Sequence, residues 1–249
     1  MIILYDNLVT SATITSYSEN PDYDFDTALN DTRLSRVGRT VDDATQWIKL
    51  AFAAAVDVDY MMVLAHNVSS GATIKVQANA TDAWTSPSID TTMTYNADYI
   101  YHAFSTTESY KYWRFYVDDG SNTDGYIQDA LIFLGESLDM PGFNPDAIII
   151  KNSNSVASKS IGGQLYADVR LKYKAASLTF PGVTEAERTL INAFWDTVDT
   201  AIPFVLMIWE DDLDVEPPIY CALTKELEWS KQPQRGVLWT LKLEFEECF

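Results

Sequence analysis

The chain has 249 residues, 47% hydrophobic and 13% aromatic, the composition of a folded protein with room for two ordinary domains. Thirty-six Asp and Glu against 17 Lys and Arg leave a net charge of −19, which excludes a binder of nucleic-acid backbone, a task that needs clustered cations. No apolar run reaches the ~20 residues of a membrane helix, and the opening Met-Ile-Ile-Leu-Tyr-Asp lacks the basic region and long apolar core of a secretory leader. The two cysteines, Cys221 and Cys248, are too few for a disulfide scaffold and read as thiols of a protein made in a reducing cytoplasm.

Residues 1 to about 135 read as strands and turns with no helix. The runs Ser11–Tyr17, Gln46–Phe52, Tyr60–Ala65, Thr73–Ala78, Tyr99–Phe104, Tyr112–Val117 and Tyr126–Leu134 are short and apolar or alternating. Asn, Asp, Ser, Thr and Gly clusters separate them, a spacing that predicts an antiparallel sandwich. Met140-Pro141-Gly142-Phe143-Asn144-Pro145 then breaks the pattern and reads as a connector. Two domains are therefore expected, 1–138 and 139–249.

Past the connector, Leu165, Ala167, Val169, Leu171 and Tyr173 alternate with Tyr166, Asp168, Arg170, Lys172 and Lys174. That is a strand with one apolar and one wet face. Thr184 stands three residues before Glu187, a capping-box spacing, and Leu190, Ile191, Phe194, Trp195 and Val198 follow as an apolar stripe. A helix is expected over about 184–199, with Trp195 buried. Phe204–Trp209 reads as an apolar strand, and Ile219–Trp229 and Val237–Phe245 as a hairpin around Lys231–Gly236. In the last strand Trp239, Leu241, Leu243 and Phe245 are expected in the core. The second half is thus α+β, and the whole chain mainly β.

Enzyme chemistry finds no constellation. His66 and His102 stand in no metal-ligand spacing, and His66, at the end of an apolar strand, reads as a satisfied structural histidine. There is no nucleophile elbow, phosphate loop or Cys-x-x-Cys, and no catalytic residue or cofactor is expected. Asp118, Asp119, Asn122 and Asp124 form an oxygen-rich loop, a weak calcium candidate whose alternative is a solvated turn. Trp84, Tyr95, Tyr99 and Tyr101 fall beside Ser- and Thr-rich segments, where exposed rings would stack on a sugar and buried ones would serve the core. Glu210, Asp211, Asp212, Asp214 and Glu216 make an acidic stretch between two strands. It reads as a solvated loop.

The Ser11–Thr15 to Asn30-Asp31 segment, Gln46-Trp47-Ile48-Lys49-Leu50, the His66-Asn67 turn, Tyr112-Trp113-Arg114-Phe115-Tyr116-Val117 and the closing Ile132-Phe133-Leu134-Gly135 together resemble the galactose-binding-like (discoidin-type) jelly roll. This version of the fold is similar to that of many phage virion proteins. The Arg170 strand, the helix Glu185–Val198, Ile202-Pro203-Phe204 and Trp239–Phe245 resemble the tail-tube and distal-tail family of long-tailed phages. The resemblances imply an N-terminal antiparallel jelly-roll β-sandwich followed by a tail-tube-like β-sandwich with one helix. They imply a non-enzymatic tail component, such as a distal-tail, minor-tail or baseplate protein, made in the host cytoplasm and housed in the virion. Its partners would be itself, in a ring of six or three copies, and other tail proteins, and the acidic stretch Glu210, Asp211, Asp212, Asp214 and Glu216 would line the ring's lumen, where like charge keeps passing DNA from adhering. The alternative is a carbohydrate-binding adhesin for a bacterial surface glycan.

Overall fold

The computed structural model describes residues 1–144, 148–209, 213, 216–231 and 238–249. They form two compact units, one of Asp6–Ser137 and one of Met1–Tyr5 with Leu138–Cys248. The chain passes from one unit to the other between Ser137 and Leu138, and its first five residues go to the second unit. The reason is β1 (Ile2–Leu4), which pairs antiparallel with residues 205–207, Ile3 opposite Leu206. A three-residue apolar strand carries no mark of the sheet it will join.

In the first unit follow β2 (Thr13–Ser16), the short helix α1 (Phe25–Leu29), β3 (Gly38–Arg39), β4 (Thr45–Leu64) and β5 (Thr73–Asn79). Then come β6 (Ile89–Thr92), β7 (Thr94–Tyr95), β8 (Tyr99–Asp118), β9 (Gln128–Asp129) and β10 (Leu131–Gly135). The sheet runs β10-β4-β8-β5-β6, with β2 added to β4 and β7 to β8, while β3 pairs with β9. Each of the 20-residue strands β4 and β8 fuses two runs that the sequence separates. Their ladder is shifted between Ala51 and Val56 and again between Val58 and Tyr60. Such irregularities bend a strand pair, so one ribbon serves both layers of the jelly roll. Ile48, Leu50, Trp113 and Phe115 from one end of the ribbon meet Met61, Val63 and Ile100 from the other in a single buried cluster.

The second unit continues with β11 (Ser137–Asp139), β12 (Ile148–Ser153), β13 (Val156–Lys159), β14 (Leu165–Asp168), β15 (Lys172–Val183) and the helix α2 (Glu185–Val198). It ends with β16 (Phe204–Met207), β17 (Ile219–Leu223), β18 (Glu228–Lys231) and β19 (Trp239–Glu247). The main sheet is ordered β11-β1-β16-β17-β19-β15-β12, with β18 also on β19. The expected strand through 165–174 is interrupted at 169–171, so its two ends belong to different sheets.

The helix begins where the capping box places it. Thr184 Oγ1 accepts from the Glu187 N–H at 3.3 Å, and the Thr184 N–H donates to Glu187 Oε2 at 2.7 Å. Ile191, Phe194 and Val198 are buried, with Phe194 edge-on to Tyr5 at 5.2 Å and to Phe204 at 5.1 Å. Trp195 is half-buried and Leu190 exposed. The buried stripe is thus narrower than the apolar one, because a single sheet face covers only part of the helix circumference. On β19, Leu241, Leu243 and Phe245 are buried opposite Phe180, Leu178 and Ala176, and Trp239 packs at the edge of the same core. Both thiols are free. Cys221 is fully buried, which pushes its thiol well up, whereas Cys248 is half-buried. No helix among the described residues is long and apolar enough to cross a membrane.

Candidate functional site

The segment between β2 and β4 folds into a cleft at one end of the jelly-roll unit. Asp24 accepts from the Thr27 N–H at 2.9 Å and so caps α1, and the Phe25 N–H donates to Glu19 Oε1 at 2.7 Å. Phe25 is fully buried under Gly38, where a Cβ would stand 2.2 Å from its ring. The far side is sewn down by main-chain bonds, Asn20 N to Arg39 O and Arg39 N to Tyr23 O, both 2.9 Å. Arg39 lies over the Tyr23 ring at 4.0 Å and the Tyr126 ring at 4.9 Å, and its Nε donates to Gln128 Oε1 at 2.9 Å. Tyr23 is thereby a fixed ring on a loop.

Between these anchors opens a cleft of ≈270 Å³, lined by Asp22, Tyr23, Asp24, Thr27, Ser35 and Arg36 among others. Tyr23 remains 38% exposed. Hydrogen bonds from Thr27 hold the Asp24 carboxyl below its ordinary value, so it is ionised at neutral pH. Arg33 clamps Asp31 with Nε at 2.9 Å and Nη2 at 2.6 Å, which holds Asp31 far below the usual carboxylate range. Arg36 reaches the same carboxylate at 3.4 Å from the cleft's rim. The cleft thus offers a guanidinium, two carboxylates, two hydroxyls and one aromatic ring at a fixed place. Its signal is the triplet Arg33, Arg36 and Arg39, three of the seven cations in residues 6–137.

The four aromatic candidates do not form one site. Trp84 lies over the buried Arg114 guanidinium at 4.3 Å, and its Nε1 donates to Asp82 Oδ1 at 2.7 Å. Asp82 also pairs with Lys49 at 2.7 Å, and Arg114 Nε donates to Gln77 Oε1 at 2.7 Å. Hydrogen bonds from Lys49 and Trp84 hold the Asp82 carboxyl low. Trp84 therefore covers a network of charged and polar side chains. Tyr95 packs on the core and meets His66 edge-on at 5.8 Å, Tyr99 is buried, and Tyr101 stacks on Tyr60 at 6.0 Å. His66 is the structural histidine expected: Nε2 donates to Asn96 O at 3.0 Å, Nδ1 accepts from the Val68 N–H at 3.2 Å, and burial lowers its pKa.

The oxygen-rich loop is likewise tied up. Asp119 and Asn122 are buried, while Asp118 and Asp124 are exposed. Asp119 Oδ2 accepts from the Ser69 N–H at 2.8 Å and from Asn122 Nδ2 at 2.9 Å, and its Oδ1 accepts from Ser69 Oγ. Asp124 Oδ2 accepts from Asn67 Nδ2 at 3.0 Å. These bonds lock the loop to the turn at 67–69 and engage both carboxylate oxygens of Asp119. Of the acidic stretch, Glu210, Asp211, Asp212 and Asp214 lie outside the described residues. Glu216 is partly buried and pairs with Lys174 at 2.6 Å, so it is not a free charge.

No protein-family model matches the sequence, and no curated protein matches it. Similar solved structures include a mutant of chitosan-binding module 1 from a Paenibacillus sp. IK-5 chitosanase/glucanase, at 17% identity, covering 52% of this chain and 98% of that one with a TM-score of 0.42. A Streptococcus pneumoniae fucose binding module is 11% identical, with 53% and 95% covered and a TM-score of 0.42. The family 32 CBM from C. perfringens NanJ, in complex with galactose, is 12% identical, with 55% and 100% covered and a TM-score of 0.40.

Proposed function

We propose that the jelly-roll unit recognises a glycan and that the cleft at residues 21–37 holds its terminal sugar. The observation that carries this reading is the cleft's lining: a ring held rigid by Arg39, with Asp22, Thr27, Ser35 and Arg36 around it. A pyranose presents an apolar face to an aromatic ring and a rim of hydroxyls, each both donor and acceptor, to carboxylate, guanidinium and hydroxyl groups. At ≈270 Å³ the cleft lies just below the roughly 300–1,000 Å³ of drug-sized pockets, a fit for a terminal residue rather than a long chain. Asp22 and Asp24 disfavour anionic sugars, so a neutral or amino sugar is the ligand class.

Titration calorimetry of the full chain against neutral, amino and anionic monosaccharides tests this. Tyr23→Ala and Arg36→Ala should each weaken binding at least tenfold, about 1.4 kcal/mol, with unchanged melting. Binding that survives both substitutions, or no binding to any of the sugars, overturns the reading.

A second reading, the assembling tail component, is supported by one feature of the other unit, the exposed ribbon described next.

A further inference from the structure

β12 and β15 pair from Ile148–Ser177 to Ser153–Lys172 at the edge of the second unit's sheet. Both strands then run on past that ladder. Ser155 Oγ accepts from the Arg170 N–H at 2.8 Å, Asn154 N donates to Leu171 O at 3.2 Å, and β13 and β14 pair from Val156–Asp168 to Lys159–Leu165. The tip turns through Ser160–Gly163, with Gly163 at φ +81°.

Every residue of β13 and β14 is exposed. Leu165 is 61%, Val169 79% and Leu171 65% exposed. Seven of the fourteen exposed large apolar side chains among the described residues fall within positions 150–171. A two-stranded ribbon is marginal by itself, and an alternating strand specifies a face to be covered. Among the described residues nothing covers it. Contiguous apolar exposure of this kind marks an interaction surface.

Charge identifies the partner. Positions 150–172 hold four of the chain's 17 cations (Lys151, Lys159, Arg170 and Lys172) and one of its 36 acids (Asp168). The segment is +3 on a chain of −19, so the remainder of the molecule carries −22. A basic, apolar ribbon complements the acidic surface of the same protein.

We propose that residues 150–172 are an assembly arm that docks on a second copy of this chain, burying Leu165, Val169 and Leu171 and setting its cations against the neighbour's carboxylates. The contact is heterologous, arm to body, and closes into a ring or propagates according to its rotation. It does not depend on the glycan reading, because the cleft lies in the other unit.

Sedimentation velocity of the full chain over a concentration series, at low and high salt, tests the arm. The parent should sediment as a multiple of 28.0 kDa, with association weakened by salt. Leu165→Asp with Val169→Asp, and separately Lys159→Glu with Lys172→Glu, should sediment as monomers with unchanged melting and sugar titration. A chain with Ser153 joined to Lys172 through an Asn-Gly turn should do the same, and it guards against local effects of the substitutions. A parent that is monomeric at every concentration, or variants that associate like the parent, overturns the proposal. So does a monomeric parent that floats with anionic vesicles through this arm, which would make the partner a membrane.

Discussion

Asp129 should make the protein lose stability as pH rises from about 4 to about 7, and replacing it should remove that loss. The side chain lies in β9, fully buried, with neither carboxylate oxygen hydrogen-bonded. Ile48, Phe115, Val117 and Ile127 share the ≈10 Å³ void beside it. Burial among such neighbours pushes the carboxyl up to about 7 from an ordinary 3.8. The folded pKa is thus the higher one, so the native state holds a proton that the unfolded chain has released. The contribution of Asp129 is fully present below about pH 4 and is lost progressively as pH rises to about 7, beyond which both states are ionised. At about 1.4 kcal/mol per pH unit the loss approaches about 4 kcal/mol. Asp129→Asn keeps the shape without the charge but leaves an amide unpaired, at a cost of roughly 1–3 kcal/mol. Urea denaturation across pH 4 to 8 should show the variant weaker than the parent at the acid end and stronger at the alkaline end. Depressed carboxyls such as Asp24, Asp82, Asp90 and Glu244 give the opposite slope at lower pH, but they cancel in the parent-minus-variant difference. A difference that stays flat from pH 4 to 8 would refute the buried-acid reasoning.

Two further substitutions separate packing from surface. Phe194→Ala empties the space between Tyr5 and Phe204 and should cost about 3–5 kcal/mol in the melting of the second unit. Leu190→Ala, on the exposed side of the same helix, should stay within about 0.5 kcal/mol, and equal effects would mean the helix is turned otherwise. Trp84→Ala uncovers the Arg114 guanidinium and should cost about 1–2 kcal/mol in melting while leaving sugar titration unchanged. Lost sugar binding with intact melting would instead make Trp84 a ligand contact.

Local signals decided what depended on local physics. Two-residue alternation placed the apolar sides of β5 and β19, and the Thr184–Glu187 box placed the start of α2 to the residue, because capping is settled within one turn. Long-range pairing left no such trace. Nothing in Ile2-Ile3-Leu4 says that the strand will sit beside β16, and nothing in the Ala53–Ala55 run says that β4 continues through a bend, since both follow from register with distant segments. Side-chain placement divided along the same line. Trp84 lies over Arg114, a residue thirty positions away, while the loop of Tyr23 is held by Arg39 and the buried Phe25. The alternation of Leu165, Ala167, Val169 and Leu171 was legible as a face made for burial. That no described residue covers this face was decided by tertiary structure alone, because burial is a property of what packs against a strand, not of the strand's own residues.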